Sequence, residues 1–142
     1  MMNNERYQAE LRVLGSRLPS NVYRFMGIGT SAPKVVMAAR TNSGNVYTLT
    51  IELAHFPEDI PKVFVNKMLY TRSGEPMSGI SATMHTLQSE NNRTRICHYG
   101  HDAWTPGVSI YKVYVKCRLW LEIYELHLRN GKPMDYYLNH QS

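Results

Sequence analysis

The sequence predicts an α+β fold on three observations. A helical apolar stripe opens the chain, a run of alternating apolar and polar residues bounded by turn residues lies in the middle, and a long apolar stripe comes near the end. At the start, Tyr7, Leu11, Leu14 and Leu18 recur at offsets of four, three and four, one face of a helix. Gly15 weakens that helix and Pro19 stops it. Arg6, Arg12 and Arg17 lie off the stripe, on the expected outer face.

A four-strand antiparallel meander is expected next. Val22 to Gly29 and Val35 to Ala39 read as the first two strands, separated by Ser31-Ala32-Pro33. The cluster Asn42-Ser43-Gly44-Asn45 turns the chain into a hairpin. The third strand is the clearest, because Tyr47, Leu49, Ile51 and Leu53 alternate with Thr48, Thr50 and Glu52. That period of two buries one face and wets the other. Val63 to Met68 reads as the fourth strand. From Tyr70 to Ala103 no periodicity is sustained, so a long irregular segment is expected, of the kind that often carries function. A long helix follows from about Val108 to Leu128, with Ile110, Val113, Cys117, Trp120, Leu121, Tyr124 and Leu128 on its buried stripe. Asn130-Gly131-Lys132-Pro133 ends it, with Gly and Pro in stopping positions.

Length and composition narrow the function classes. The 142 residues are expected to form one domain, spanning 1–142. An apolar fraction of 43% with 19% charged residues excludes a disordered chain. No run reaches the ~18 apolar residues of a membrane span, and the start lacks a signal-peptide pattern, so a cytoplasmic protein without a membrane partner is expected. Two cysteines, Cys97 and Cys117, are too few for a disulfide scaffold and read as free thiols. The net charge of +5 is spread in runs of no more than two basic residues. It favours an acidic protein surface as partner over nucleic acid. No Gly-rich phosphate loop is present.

Two segments go further. One is Phe56-Pro57-Glu58-Asp59-Ile60-Pro61-Lys62-Val63, directly after the clear strand. The other is Arg95-Ile96-Cys97, followed by Trp104-Thr105-Pro106 and the long helix. In order and spacing, from Tyr7 to Leu128, the chain resembles the ubiquitin-conjugating enzymes. That family has a Tyr-Pro-x-x-Pro-Pro-x-Val turn between strands three and four, a thioester-forming cysteine in an Ile-Cys-Leu context, and a Trp-Ser-Pro motif before a long helix. Where the family has His-Pro-Asn, this chain has His85-Thr86-Leu87. The tail, with Trp120-Leu121-Glu122-Ile123-Tyr124-Glu125, His127-Leu128 and Gly131-Lys132-Pro133, is similar to a bacterial branch found in antiviral operons. Members there carry the C-terminus of a cGAS-like nucleotidyltransferase (CBASS) or of a ubiquitin-like protein (Bil operons).

The resemblance implies a conjugating enzyme that accepts an acyl group as a thioester on Cys97 and passes it to a lysine or other amine. It implies no metal or cofactor, with ATP spent by a separate activating enzyme. Such transfer needs a thiolate, and a free thiol has a pKa near ~8.5, so a proton acceptor or positive field is wanted nearby. His85, His98 and His101 offer the first, Arg93 and Arg95 the second. His85 has two open roles, oxyanion donor or brace for the loop. Asp102 either orients an incoming amine or caps the loop. Trp104 and Pro106 are expected to shape the site, and Cys117 to be structural. Arg6, Arg12 and Arg17 are either the contact for the activating enzyme, as the family implies, or a solvated face. Tyr136-Tyr137-Leu138 either packs on the core or meets a partner. Two rival readings stay open: a binding module for a ubiquitin-like partner without chemistry, and a zinc-stabilised protein using His85, Cys97, His98 and His101 or a nucleic-acid-binding one, suggested by the histidines and the basic charge.

Overall fold

Residues 1–138 are described by a computed structural model of the chain. Asn3 caps the first helix, α1 (Asn4–Arg17), by accepting a hydrogen bond from the Arg6 backbone N–H. Strands β1 (Tyr23–Met26), β2 (Lys34–Arg40), β3 (Val46–Glu52) and β4 (Val63–Val65) follow as an antiparallel meander. The first and fourth are shorter than their apolar runs suggested. The long helix α2 (Ile110–Asn130) and a single turn, α3 (Asp135–Leu138), complete an α+β architecture. Among the described residues no helix is long and apolar enough to cross a membrane.

The segment expected to be irregular corrects the sequence reading. It contains two more strands, β5 (Thr86–Glu90) and β6 (Arg93–Ile96), and a short 3-10 turn over His101–Ala103. The four-strand meander thus becomes a six-stranded antiparallel sheet of order β1-β2-β3-β4-β6-β5. Asn91 and Asn92, with φ of 52° and 59°, make the two-residue turn between the new strands. Both central residues of such a turn need the left-handed region, which asparagine tolerates. The alternation in β6 was hidden because one of its buried positions is polar. Thr94 is fully enclosed, accepting from the Leu69 N–H (2.8 Å) and donating to the Met77 carbonyl (3.0 Å). Its hydroxyl ties the loop after β4 back onto the sheet.

α2 covers one face of the sheet. Val35, Met37, Leu49, Ile51, Val63 and Ile96 meet Ile110, Val113, Cys117, Trp120 and Leu121 in the core. Tyr114 donates to the Ala38 carbonyl (2.8 Å) and Arg118 to that of Arg40 (2.8 Å), clamping helix to strand β2. The other face is not simply wet. Thr50 is buried there and donates to Asn66, while Phe64 lies under the Arg93 guanidinium at 4.2 Å. On α2, Leu128 falls outside the buried stripe at 37% exposure, a correction to the helical reading. Beyond it the helix ends at Gly131, whose φ of 78° is the left-handed stop expected. Met134 and Leu138 fold the tail back onto the core, leaving Tyr136 outside.

The start of α2 is fixed from α1. Glu10, buried, accepts from the Ile110 N–H at 2.7 Å and from Arg6 Nε at 2.8 Å. Arg6 also donates to the carbonyls of Pro106 (2.6 Å) and Val108 (2.9 Å) and lies over the Phe56 ring. Its place on an outer face is therefore corrected. It faces inward and joins α1 to the segment that leads into α2.

Candidate thiol site

Cys97 directly follows β6. Its N–H donates to the His85 carbonyl at 3.0 Å, extending the β5–β6 ladder by one rung. The same carbonyl accepts the Trp120 indole N–H at 2.9 Å, so α2 fixes the backbone beside the thiol. The thiol is partly buried and lines two concavities. One is an open groove of about 550 Å³ whose walls include Asp59, Pro61, Leu87, Arg95, His101 and Trp104. The other, of about 160 Å³, lies against α2 between His85, Lys116, Leu119, Trp120 and Leu138.

Trp104 sets the far wall of the groove. Its indole N–H donates to the Pro57 carbonyl (3.0 Å), and its ring meets Phe56 and Tyr99 edge-on, at 6.2 and 5.4 Å. This joins the turn after β3 to the segment after Cys97. Pro106 is exposed and away from the groove wall, where its carbonyl anchors Arg6. His101 is exposed on the groove wall. Asp102 is also exposed but faces a separate shallow depression. Arg12 is exposed, and Arg17 lies over the Tyr111 ring at 5.6 Å, both away from the thiol.

The histidines differ in what they have free. His85 Nε2 lies 2.7 Å from Asp135 Oδ1, and a carboxylate can only accept, so this nitrogen carries its hydrogen. His98 Nε2 lies 2.9 Å from the Pro61 carbonyl and must likewise donate. That leaves His98 Nδ1 as a buried lone pair without a partner among the described residues. Burial pushes the His98 pKa down to about 4, and the charges of Arg95 and Lys116 add to this, against the bond to Pro61. The imidazole is neutral at neutral pH. Burial pushes the Cys97 thiol above its ordinary value, and the Arg95 charge pulls it part of the way back. Cys117, sealed in the core, is pushed far higher by burial alone.

The fold gathers Cys97, His85, His98, His101, Arg95 and Trp104 around the two concavities. It does not gather Asp102, Pro106 or the arginines of α1. Nor does it assemble a zinc site from His85, Cys97, His98 and His101. Among the described residues no three His, Cys, Asp or Glu side chains converge on a metal position. His85 and His98 each donate from Nε2 to a protein oxygen instead. Sequence reasoning missed Asp135, which lies 50 residues from His85 and had no local signal beyond opening a short helix. It also missed Lys116, held over the Tyr99 ring at 4.4 Å. Comparison with protein-family models, curated proteins and solved structures finds no match to this chain.

Proposed function

We propose that the chain is a ubiquitin-conjugating-like acyl carrier, with the fold of that family around Cys97. The thiolate of Cys97 attacks the carbonyl of a donor thioester and the donor's thiol leaves. An amine then attacks the new thioester, the amide forms, and Cys97 is released with the amine's proton passing to solvent. The donor is the C-terminus of a ubiquitin-like protein or of a cGAS-like nucleotidyltransferase, supplied in the cytoplasm by an activating enzyme, in antiviral defence. A lysine-bearing target is the acceptor. These identities rest on the sequence resemblance alone.

One observation carries the chemical part of this reading. Of the two cysteines, Cys97 is partly exposed at the junction of two concavities, while Cys117 has no exposed surface. A thiol that must meet two substrates in turn needs open space on both sides, and the Arg95 charge opposes the rise that burial imposes on this one. The order of helix, antiparallel meander, thiol and long helix supports the family assignment.

The test uses a synthetic peptide ending in Gly-Gly as its mercaptoethanesulfonate thioester. Intact mass should rise by one acyl group, and dithiothreitol should reverse the gain. Cys97→Ala should abolish the adduct. Cys117→Ala should keep it and cost about 1 kcal/mol of stability, since it trims one small buried group. Discharge to free lysine should outpace that of the same acyl group on free cysteine. An adduct persisting in Cys97→Ala, or discharge no faster than from free cysteine, would leave a binding module rather than an enzyme.

A further inference from the structure

The fold gathers basic residues that the sequence scatters. In a sheet, alternate residues along a strand and partners across strands share one side, so single lysines and arginines collect wherever the register aligns them. Arg24, Val36, Thr50, Phe64 and Arg95 pair in one row across β1, β2, β3, β4 and β6, on the side away from α2. Lys34 and Arg40 stand two and four residues from Val36 on β2, and Arg93 stands two before Arg95 on β6. Lys62 precedes Phe64 by two. α1 packs on the other side, where Tyr7 meets the Phe25 ring at 5.0 Å. The carboxylates that join this face are engaged: Glu90 pairs with Lys62 at 2.9 Å, and Glu52 lies 3.9 Å from Arg93. Arg24, Lys34 and Arg40 have no ion pair among the described residues. The open face thus holds most of the net charge of +5.

The cations form two margins. Arg24, Lys34 and Arg40 stand on β1 and β2, and Lys62, Arg93 and Arg95 on or beside β4 and β6. β2 and β6 are three strand spacings apart, about 14 Å. Between them lies a floor of short side chains, Ala38, Thr48 and Thr50, while Phe64 is sealed under the Arg93 guanidinium. The exposed large apolar side chains, Met26 and Val46, sit apart at its corners. A protein partner would want an apolar or aromatic anchor at the centre, and exposed ion pairs alone contribute little. A single nucleic-acid strand would want aromatic rings on which to stack. Duplex DNA needs neither, because each phosphate neutralised releases counterions. Its two phosphate strands border a major groove ~12 Å wide, a spacing that two margins can straddle. In A-form RNA that groove is narrow. We propose that the open sheet face is a docking surface for duplex DNA, its cationic margins meeting the phosphates of both strands across the major groove. The floor's short side chains reach no base edge, so binding is independent of sequence. The proposal does not depend on the acyl-transfer reading.

Fluorescence anisotropy of a labelled, mixed-sequence DNA duplex tests this. Binding should fall in the ~10⁻⁴–10⁻⁶ M range at physiological salt and weaken roughly 10²-fold between about 50 and 200 mM salt, as expected for about four phosphates. The triple variant Arg24→Gln, Lys34→Gln, Arg40→Gln should bind at least ~10-fold more weakly, with its salt slope reduced by about 2.7. Arg72→Gln, Lys112→Gln, Arg129→Gln removes the same charge from exposed positions off this face and should stay within about three-fold of the parent. Thr48→Glu keeps every cation but sets a carboxylate in the exposed centre of the floor. It too should weaken binding ~10-fold or more. Thermal melts check folding, and Thr48→Glu carries the test should the first triple variant unfold. Equal losses in the two triple variants would overturn the surface and leave only net charge. So would a duplex that fails to bind at about 50 mM salt, or unchanged binding by folded Thr48→Glu. Tighter binding of an RNA duplex or of either single strand would overturn the choice of DNA duplex. Tighter binding of poly-glutamate would make the face a dock for acidic proteins instead.

Discussion

The His85–Asp135 pair decides whether His85 braces the thiol loop or takes part in chemistry. Its ring nitrogen and the carboxylate oxygen are 2.7 Å apart, with side chains 24% and 45% exposed. A hydrogen bond to a charged group contributes about 1.5–3 kcal/mol when buried, whereas exposed pairs contribute 0–1 kcal/mol or so. Partial exposure on both sides puts this pair near ~1 kcal/mol. His85→Ala removes it while keeping a Cβ on a backbone with φ of 51°. A loss of about 1–1.5 kcal/mol follows, or roughly 3–5 °C in melting temperature for a chain of this size. Asp135→Ala should cost a similar amount. The double variant should cost little more than either, giving a coupling of about 1 kcal/mol in urea denaturation. His85→Gly should recover about 0.5–1 kcal/mol relative to His85→Ala, since glycine enters the left-handed region without strain. Discharge of the loaded thioester should stay within a few-fold of the parent, because the carbonyl that holds Cys97 belongs to the backbone and survives the substitution. Additive costs, within ~0.3 kcal/mol, would refute the pairing. A 10²–10³-fold loss of discharge at unchanged melting temperature would refute the bracing role and make the imidazole a catalytic group.

Glu125 gives the fold a defined acid sensitivity. It is buried and accepts from Thr41, Ser43, Asn45 and Tyr47 at 2.6–3.0 Å. Burial alone would raise its carboxyl, but these bonds together hold it below the usual carboxylate range. A depressed folded-state pKa gives stability that is fully present above the unfolded value and lost as pH falls through the folded one. Glu125→Gln should therefore cost about 2–3 kcal/mol at neutral pH and flatten the acid limb of the stability curve. An acid limb as steep as the parent's would contradict this. Elemental analysis should find no stoichiometric zinc, because His85 and His98 donate from Nε2 to protein oxygens. One zinc per chain, with unfolding on chelation, would reverse that reading.

Local patterns were legible where one element has one wet and one dry side. The α1 stripe, the alternation of β3 and the Gly131 stop of α2 are each set within a few residues, and each is where the sequence put it. Cys97 and Cys117 were also separable from sequence, since one sits in a polar stretch and the other on a helical stripe. The β5–β6 hairpin was not legible. Its inward positions include Thr94, whose burial is stabilised by long-range hydrogen bonds rather than by apolar character. Asn91-Asn92 was the available signal, a turn pair whose meaning depends on flanking strands that the pattern did not reveal.

What the sequence determined by itself was the set of elements that local periodicity and capping specify, together with one thiol in a polar stretch and one on a buried helical stripe. Tertiary structure alone decided what surrounds that thiol. Folding β5 against β6 set the His85 carbonyl on the Cys97 N–H, and α2 added the Trp120 indole to the same oxygen. The tail brought Asp135 to the His85 ring. Cross-strand register placed Arg95 between Leu87 and Phe64, so its Nε is dry and unpartnered beside Cys97. Arg6, which a helical wheel puts outside, turned inward because unpaired carbonyls at Pro106 and Val108 lay within its reach. Each of these depends on groups far apart in the chain satisfying one another's hydrogen bonds. No short-range pattern encodes such a pairing, because the partner is known only once the sheet has formed.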